Sequence, residues 1–372
     1  MDRQLRRQGI LSNTAALFGS SRAEVLATLP LHVNAGVRRA IHGVGYIADE
    51  LFHRGWRDVE IEKPVFIVAP ARSGTTMLFH QLADDPQFAA TTLGNTLIRS
   101  ISVAKLLRRA ADKQRKFILA ARDGINQQMA QLDETHTLRI ELLEEDEGFY
   151  NDMFALLNVH LLFPNLHEKL GIVELDQRPA RVRRSVMRKY KNFIRRFLYL
   201  RGPGKKTYLM KNVQSAGRMA TLEQAFPDAR YIHIVRDPVV QLPSALELIR
   251  AVAKSSHGRV RPPEHRYWRM MADALIEQHR TLLAWERKLP TSRWLTLRYP
   301  ELIADPAATL RKVYDHFALP LSPAREQSLV TANETAGEFR KQRKYSLADY
   351  GISPQEVRER LADVYDHYQL DA

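Results

Sequence analysis

The chain contains no cysteine. That excludes disulfides, thiolate nucleophiles and cysteine-ligated metals, and it fits a reducing compartment. No apolar run approaches the length of a membrane span. The basic start, Met1-Asp-Arg-Gln-Leu-Arg-Arg7, is not followed by a long apolar segment, so it makes a poor secretory signal. Internal repeats and low-complexity linkers are absent. So are zinc-finger spacings and basic-aromatic RNA-binding strings, which sets nucleic acid aside as the main partner.

What the chain does have is length for a large core and an excess of positive charge. Its 372 residues are enough for one large α/β domain or two small ones. A formal net charge of +14 favours polyanions, acidic membrane surfaces or anionic small molecules without choosing among them.

The stretch Pro64 to Phe79 is the most informative. Val65 to Val68 is a short run rich in β-branched residues, expected as a buried strand. Ala71-Arg72-Ser73-Gly74-Thr75-Thr76 then makes a tight, hydroxyl-rich turn. Met77, Leu78 and Leu82 follow at helical spacing, until Pro86. Strand, turn and helix in this order converge free N–H groups and the positive end of a helix dipole on one point. Gly74 lets the backbone approach an anion. Thr75 and Thr76 add hydroxyls, and Arg72 adds a fork of charged donors. The nucleoside-triphosphate loop needs Gly-Lys-Ser/Thr after four residues and a first glycine. Here Thr75 follows Gly74, and Ala69 stands where the first glycine would fall. The loop suits an anion needing less neutralisation than a magnesium triphosphate.

Arg72-Ser-Gly-Thr-Thr76 after a strand resembles the 5′-phosphosulfate loop of sulfotransferases that use 3′-phosphoadenosine 5′-phosphosulfate (PAPS), closest to the bacterial branch related to the tyrosylprotein sulfotransferases. The resemblance runs from about residue 40 to the C-terminus. It implies a P-loop-like three-layer α/β fold, with a central parallel sheet between helices and a helical N-terminal extension. The expected division is residues 1–62 as extension, 63–330 as α/β core and 331–372 as a basic segment and helix.

Three further strands carry the resemblance onward. Thr207-Tyr-Leu-Met210 delivers Lys211 at its tip, the position of the family's catalytic lysine, where it would neutralise the leaving oxygen. Tyr231 to Val235 delivers Arg236, with Ser244 eight residues later in a helix-like stretch. This pair matches the family's clamp for the adenosine 3′-phosphate, a guanidinium and a hydroxyl both donating to a dianion. Asp237 is expected to pair with Arg236 or cap the turn. Trp294 to Tyr299 is a fourth strand, and the helix Ala307 to Phe317 resembles a structural element of the family. Near the end, Arg343 and Lys344 match a basic stretch that often folds over the nucleotide. Ligands in such sheets sit at the carboxyl ends of strands, where Arg72, Lys211 and Arg236 fall.

The general base is less plainly marked. The family's glutamate has no counterpart, since Thr91-Thr-Leu-Gly-Asn-Thr96 carries no carboxylate. Glu141-Leu-Leu-Glu-Glu-Asp-Glu147 is the next source. Read as a helix, it puts Glu141, Glu144 and Glu145 on one face, where like charges raise proton affinity. Glu144 and Glu145 are therefore the candidate bases, with His80 as an alternative. Phe149, Tyr150, Phe154 and His160 are candidate lining of an acceptor pocket, or core.

Two long segments remain. Ala35 to Phe52 has helical apolar spacing, expected to pack on the core or pair with a second subunit. Arg178 to Leu200 is an amphipathic basic helix, read as a solvated face, a membrane surface contact or a site for an acidic acceptor. Ser255 to Arg269 reads as a loop, with Gly258 and Pro262-Pro263 inside it.

The function expected is in-line transfer of a sulfuryl group from PAPS to a hydroxyl or amine of a carbohydrate, lipid, peptide or small metabolite, with no metal. The setting expected is cytoplasmic, with peripheral membrane contact and homodimerisation as options. A P-loop-type phosphotransferase and a non-catalytic polyanion or membrane-surface binder are the alternatives.

Overall fold

The computed structural model describes residues 22–130, 139–152, 174–202, 204, 206–258, 260–335 and 345–370. Along the chain the longer elements run α1 (Arg22–Phe52), β1 (Val65–Val68), α2 (Thr75–Ala83), β2 (Phe88–Ala90), α3 (Ile101–Lys113), α4 (Arg115–Met129), α5 (Ala180–Leu200), β3 (Thr207–Lys211), β4 (Arg230–Val235), α6 (Pro238–His257), α7 (Arg266–Lys288), β5 (Trp294–Arg298), α8 (Pro306–His316) and α9 (Pro323–Thr335). They form two units. One comprises Met1–Ile61, Ala90–Lys205 and Arg250–Val260, the other Glu62–Ala89, Lys206–Ile249 and Arg261–Ala372.

The second unit is built on a five-stranded parallel sheet in the order β2-β3-β1-β4-β5. Every residue of β1 is buried, as a strand covered on both faces must be. Phe66 stacks on Tyr231 and meets Tyr208 edge-on and Phe226 at a tilt, and Tyr231 packs against Trp294, so aromatic rings cross four strands on one face. Each such ring buries a large apolar area. Helices flank the sheet, giving the P-loop-like α/β architecture.

Register fixes where the strand ends lie. Ile67 pairs with Lys211 on one side and Ile232 on the other. Val68 is level with His233, so Arg236 lies three residues further along its own strand direction. β1, β3 and β4 are neighbours, and their carboxyl ends open on one edge of the sheet.

The first unit is helical. Its central polar group is Asp49 on α1, which is fully buried. Asp49 accepts from Ser100 Oγ at 2.9 Å and from the N–H groups of Ile101 and Ser102 at 3.1 and 2.7 Å, so it caps α3. It also accepts from Arg196 Nε of α5 at 2.9 Å. The Arg196 guanidinium lies 3.8 Å over the Trp56 ring and 4.5 Å over Tyr46. The helix read as basic therefore sends one of its arginines inward. No helix among the described residues is long and apolar enough to cross a membrane.

Candidate active site

The turn after β1 is shaped by two left-handed residues. Arg72 has φ 71° and Gly74 has φ 85°. A non-glycine residue in that region costs about 1–3 kcal/mol and persists only where its surroundings hold it. Alternation of hand along a loop aims successive N–H groups at one point, which makes an anion-binding concavity. Gly74 is required twice over. Its φ suits glycine, and a Cβ there would meet the Tyr299 ring at 3.0 Å and Leu302 at 3.3 Å. α2 begins at the next residue, so its N-terminal dipole points into the turn.

Four residues hold the loop's backbone and side chains. Arg236 Nη1 donates to the Arg72 carbonyl oxygen at 2.5 Å. The Gln241 side-chain amide donates to the Ala71 carbonyl oxygen. The Arg72 guanidinium turns the other way and donates from Nε to Ser244 Oγ at 3.1 Å. Ser244, accepting there, retains its own O–H to donate. Lys211 Nζ is buried and donates to Thr76 Oγ1 at 2.9 Å. Ser73 Oγ lies buried in the loop with no hydrogen-bond partner, a cost of about 1–3 kcal/mol unless a ligand supplies one.

Charge in the site is one-sided. The Arg236 guanidinium lies 4.2 Å over the Tyr299 ring. Burial, and to a lesser extent neighbouring Arg72, pulls its pKa below the usual arginine value. Asp237 offsets this only in part: its charge acts the other way on Arg236, while its Oδ1 caps α6 through the Val239 N–H at 2.9 Å and accepts from Tyr365 OH at 2.5 Å.

Behind the loop sits a neutral scaffold. Gln241 Oε1 is 3.2 Å from His279 Nε2, and burial pushes His279 down to about 4. An uncharged imidazole thus orients the amide that holds Ala71.

Arg72, Ser73, Gly74, Thr75, Thr76, Lys211, Arg236 and Ser244 all belong to the sheet-bearing unit and come together at the ends of β1, β3 and β4. His80 is four residues past Thr76 on α2, on the same helix face. Glu144 and Glu145 belong to the helical unit, where both are buried. Arg343, Lys344, Phe154 and His160 lie outside the described residues.

The acidic string is not the helix expected of it. Leu143 forms an antiparallel bridge with Thr92, and Glu144 N–H donates to the Thr91 carbonyl at 3.0 Å. This extended pairing removes the shared helix face. Glu141 is held by Asn126, whose side-chain hydrogen bonds lower its pKa. Glu144 Oε1 accepts from the Glu145 N–H at 2.9 Å.

Sequence reasoning missed Gln241, Tyr299 and His279. Tyr299 follows directly on β5, and a position just past a parallel strand is the signal that marks it. Gln241 and His279 carry no such signal.

Residues 64–323 match the model of a sulfotransferase family. Curated relatives are the omega-hydroxy-beta-dihydromenaquinone-9 sulfotransferases Stf3 of Mycobacterium bovis and Mycobacterium tuberculosis. Each is 28% identical over 265 residues, or 69% of this chain. The chain spans 63% of the length of those relatives. Among solved structures, the sulfotransferase STF9 of Mycobacterium avium superposes with a TM-score of 0.71 at 20% identity, over 100% of this chain and 93% of that one. The sulfotransferase STF1 of Mycobacterium tuberculosis gives 0.60 at 20% identity, over 86% and 81%.

Proposed function

This chain belongs to the sulfotransferase family, and we propose that it transfers a sulfuryl group from PAPS to an alcohol. The observation that carries this is the convergence on the Arg72–Thr76 loop of Lys211 and Arg236, from neighbouring strand ends, and of Ser244, from α6. The residues fit a bisphosphorylated adenosine. Gly74, which must stay a glycine to clear Tyr299 and Leu302, carries the turn into the start of α2, and a buried, unpartnered Ser73 hydroxyl waits in the same loop.

When bound, PAPS supplies the sulfuryl group and the adenosine bisphosphate that leaves. The loop N–H groups, Ser73, Thr75 and Thr76 hold the 5′ end at the start of α2. Lys211 places a buried cation beside the Thr76 hydroxyl, where charge collects on the leaving oxygen. Arg236 and Ser244 donate to the 3′-phosphate. Holding both ends of one molecule fixes the line of attack for the acceptor oxygen. His80, one turn past Thr76 on α2, takes the acceptor proton. No cluster of metal-ligating side chains occurs among the described residues.

The relatives are named for a hydroxylated menaquinone. That supports an alcohol on an apolar lipid as the acceptor class. The test is transfer from radiolabelled-sulfate PAPS to a panel of isoprenoid alcohols, sugars, peptides and amines. Label moving into an isoprenoid alcohol is expected. Label moving only into a sugar or peptide overturns the acceptor class, and absence of transfer from PAPS to every acceptor overturns the donor.

A further inference from the structure

α1 has two faces of opposite character. The inner one is saturated. His42, Gly45 and Asp49 point to α3, and a Cβ on Gly45 would meet Ser100 Oγ at 2.6 Å. The outer face is apolar and open to solvent along the helix. Val44 is 70% exposed, Ile47 64% and Leu51 63%. This amounts to on the order of 1,000 Å² of apolar surface, above the few hundred Å² usual on a monomer and about what one side of a stable interface contributes.

The spacing of that face says what covers it. Leu26, Val33, Ala40 and Ile47 recur every seventh residue. Pro30, Val37, Val44 and Leu51 do the same, four places behind. The alternating step of four and three holds for the whole run. On a straight α-helix such a stripe drifts by about 20° per heptad, so it stays in contact only with another helix that coils around it. The occupant is therefore a helix. A membrane-lying face would be rimmed by lysine and arginine. The positions beside this seam are instead Leu29, Gly36, Gly43 and Glu50 on one edge and Asn34, Ile41 and Ala48 on the other.

Gly36 and Gly43 supply a second, independent observation. Both lie mid-helix and exposed, and neither has a left-handed backbone. A Cβ on either would meet nothing within 4 Å. Each glycine costs the helix about 1 kcal/mol relative to alanine. Gly45 has a reason inside the chain, the approach of Ser100; these two have none. They sit one heptad apart on the same edge of the seam, where small residues let a second backbone come close.

We propose that the α1 seam from Leu26 to Leu51 is a helix–helix interface with α1 of a second copy of this chain, making the protein a two-fold homodimer. One surface supplies both halves, as an isologous interface requires.

Sedimentation of the full chain at micromolar concentration tests this, with twice the chain mass expected. Val37→Glu/Val44→Glu should sediment as a monomer with unchanged helical circular dichroism, since both side chains are exposed. Gly43→Gln should weaken dimerisation at least tenfold while leaving the fold intact. Because the chain has no cysteine, Ala40→Cys, near the middle of the seam, should yield a disulfide-linked dimer as its sole oxidation product. A monomeric wild type, or a dimeric mass that survives Val37→Glu/Val44→Glu, overturns the proposal. So does a monomer that pellets with phosphatidylglycerol vesicles, which would assign the face to a membrane.

Discussion

Arg236 donates to the backbone carbonyl of Arg72 across 2.5 Å, tying the end of β4 to the turn that follows β1. Arg72 returns the tie through its own side chain to Ser244, on the helix after β4. The two basic residues thus brace one another's loops in spite of the repulsion between their charges. An anion entering the turn meets donors already in position, so little ordering cost remains.

The turn's backbone is the first point to test. Gly74→Ala puts a methyl group 3.0 Å from the Tyr299 ring at a left-handed position. Loss of stability by about 1–3 kcal/mol is expected, read as a lower denaturant midpoint. Unchanged stability would mean the turn relaxes freely and has no fixed shape.

Lys211→Met keeps the bulk of a buried side chain and removes its charge. A fall in kcat of about 10²–10³-fold is expected, the scale of losing one donor at a developing charge. Adenosine 3′,5′-bisphosphate affinity should change far less. Equal losses in kcat and affinity would make Lys211 a ground-state binder.

Two buried histidines set a pH dependence. Burial pushes His279 down to about 4 and His233 to about 3, with His279 contributing to the latter. Unfolded histidine titrates near about 6.5. Below that value the unfolded chain binds more protons than the folded one. Stability is therefore full above pH about 6.5 and falls as pH drops towards about 4 and then about 3. Denaturant midpoints between pH about 7 and about 5, above the carboxylate range, should decline, and His279→Gln should flatten the slope. A slope unaltered by that substitution contradicts the assignment.

In the helical unit, Asp49→Ala strips Arg196 of its fully buried carboxylate and α3 of its cap, leaving Arg196 only the half-buried carboxylate of Glu50 at 3.2 Å. A cost of about 3–5 kcal/mol is expected, as for one half of a buried pair. Thermal unfolding measures it, and a loss below about 1 kcal/mol would show that water takes the place of the carboxylate.

Much of this was legible before any coordinates. β1, β3 and β4 are strands buried in a parallel sheet, and such strands read as short, largely apolar runs; β5, at the sheet edge, is only half-buried. The turn at Arg72–Thr76 is local chemistry, so residue types alone marked it. β2 escaped notice because Phe88–Ala90 is too short to show a period and is placed by its pairing in the sheet. Glu141–Glu145 looked helical from spacing, but the pairing of Leu143 with Thr92 prevailed. Gln241 and His279 were invisible for a similar reason. Their roles exist only where the chain returns after many residues to the carbonyl of Ala71.

The most direct measurement is calorimetric titration of the wild type and Arg236→Ala with adenosine 3′,5′-bisphosphate and with 5′-AMP. The wild type should bind the bisphosphate at least tenfold more tightly, and Arg236→Ala should bind the two nearly alike. A wild type that does not distinguish them, or a variant that keeps the full preference, would contradict the assignment of the β1 and β4 strand ends to the two ends of one nucleotide.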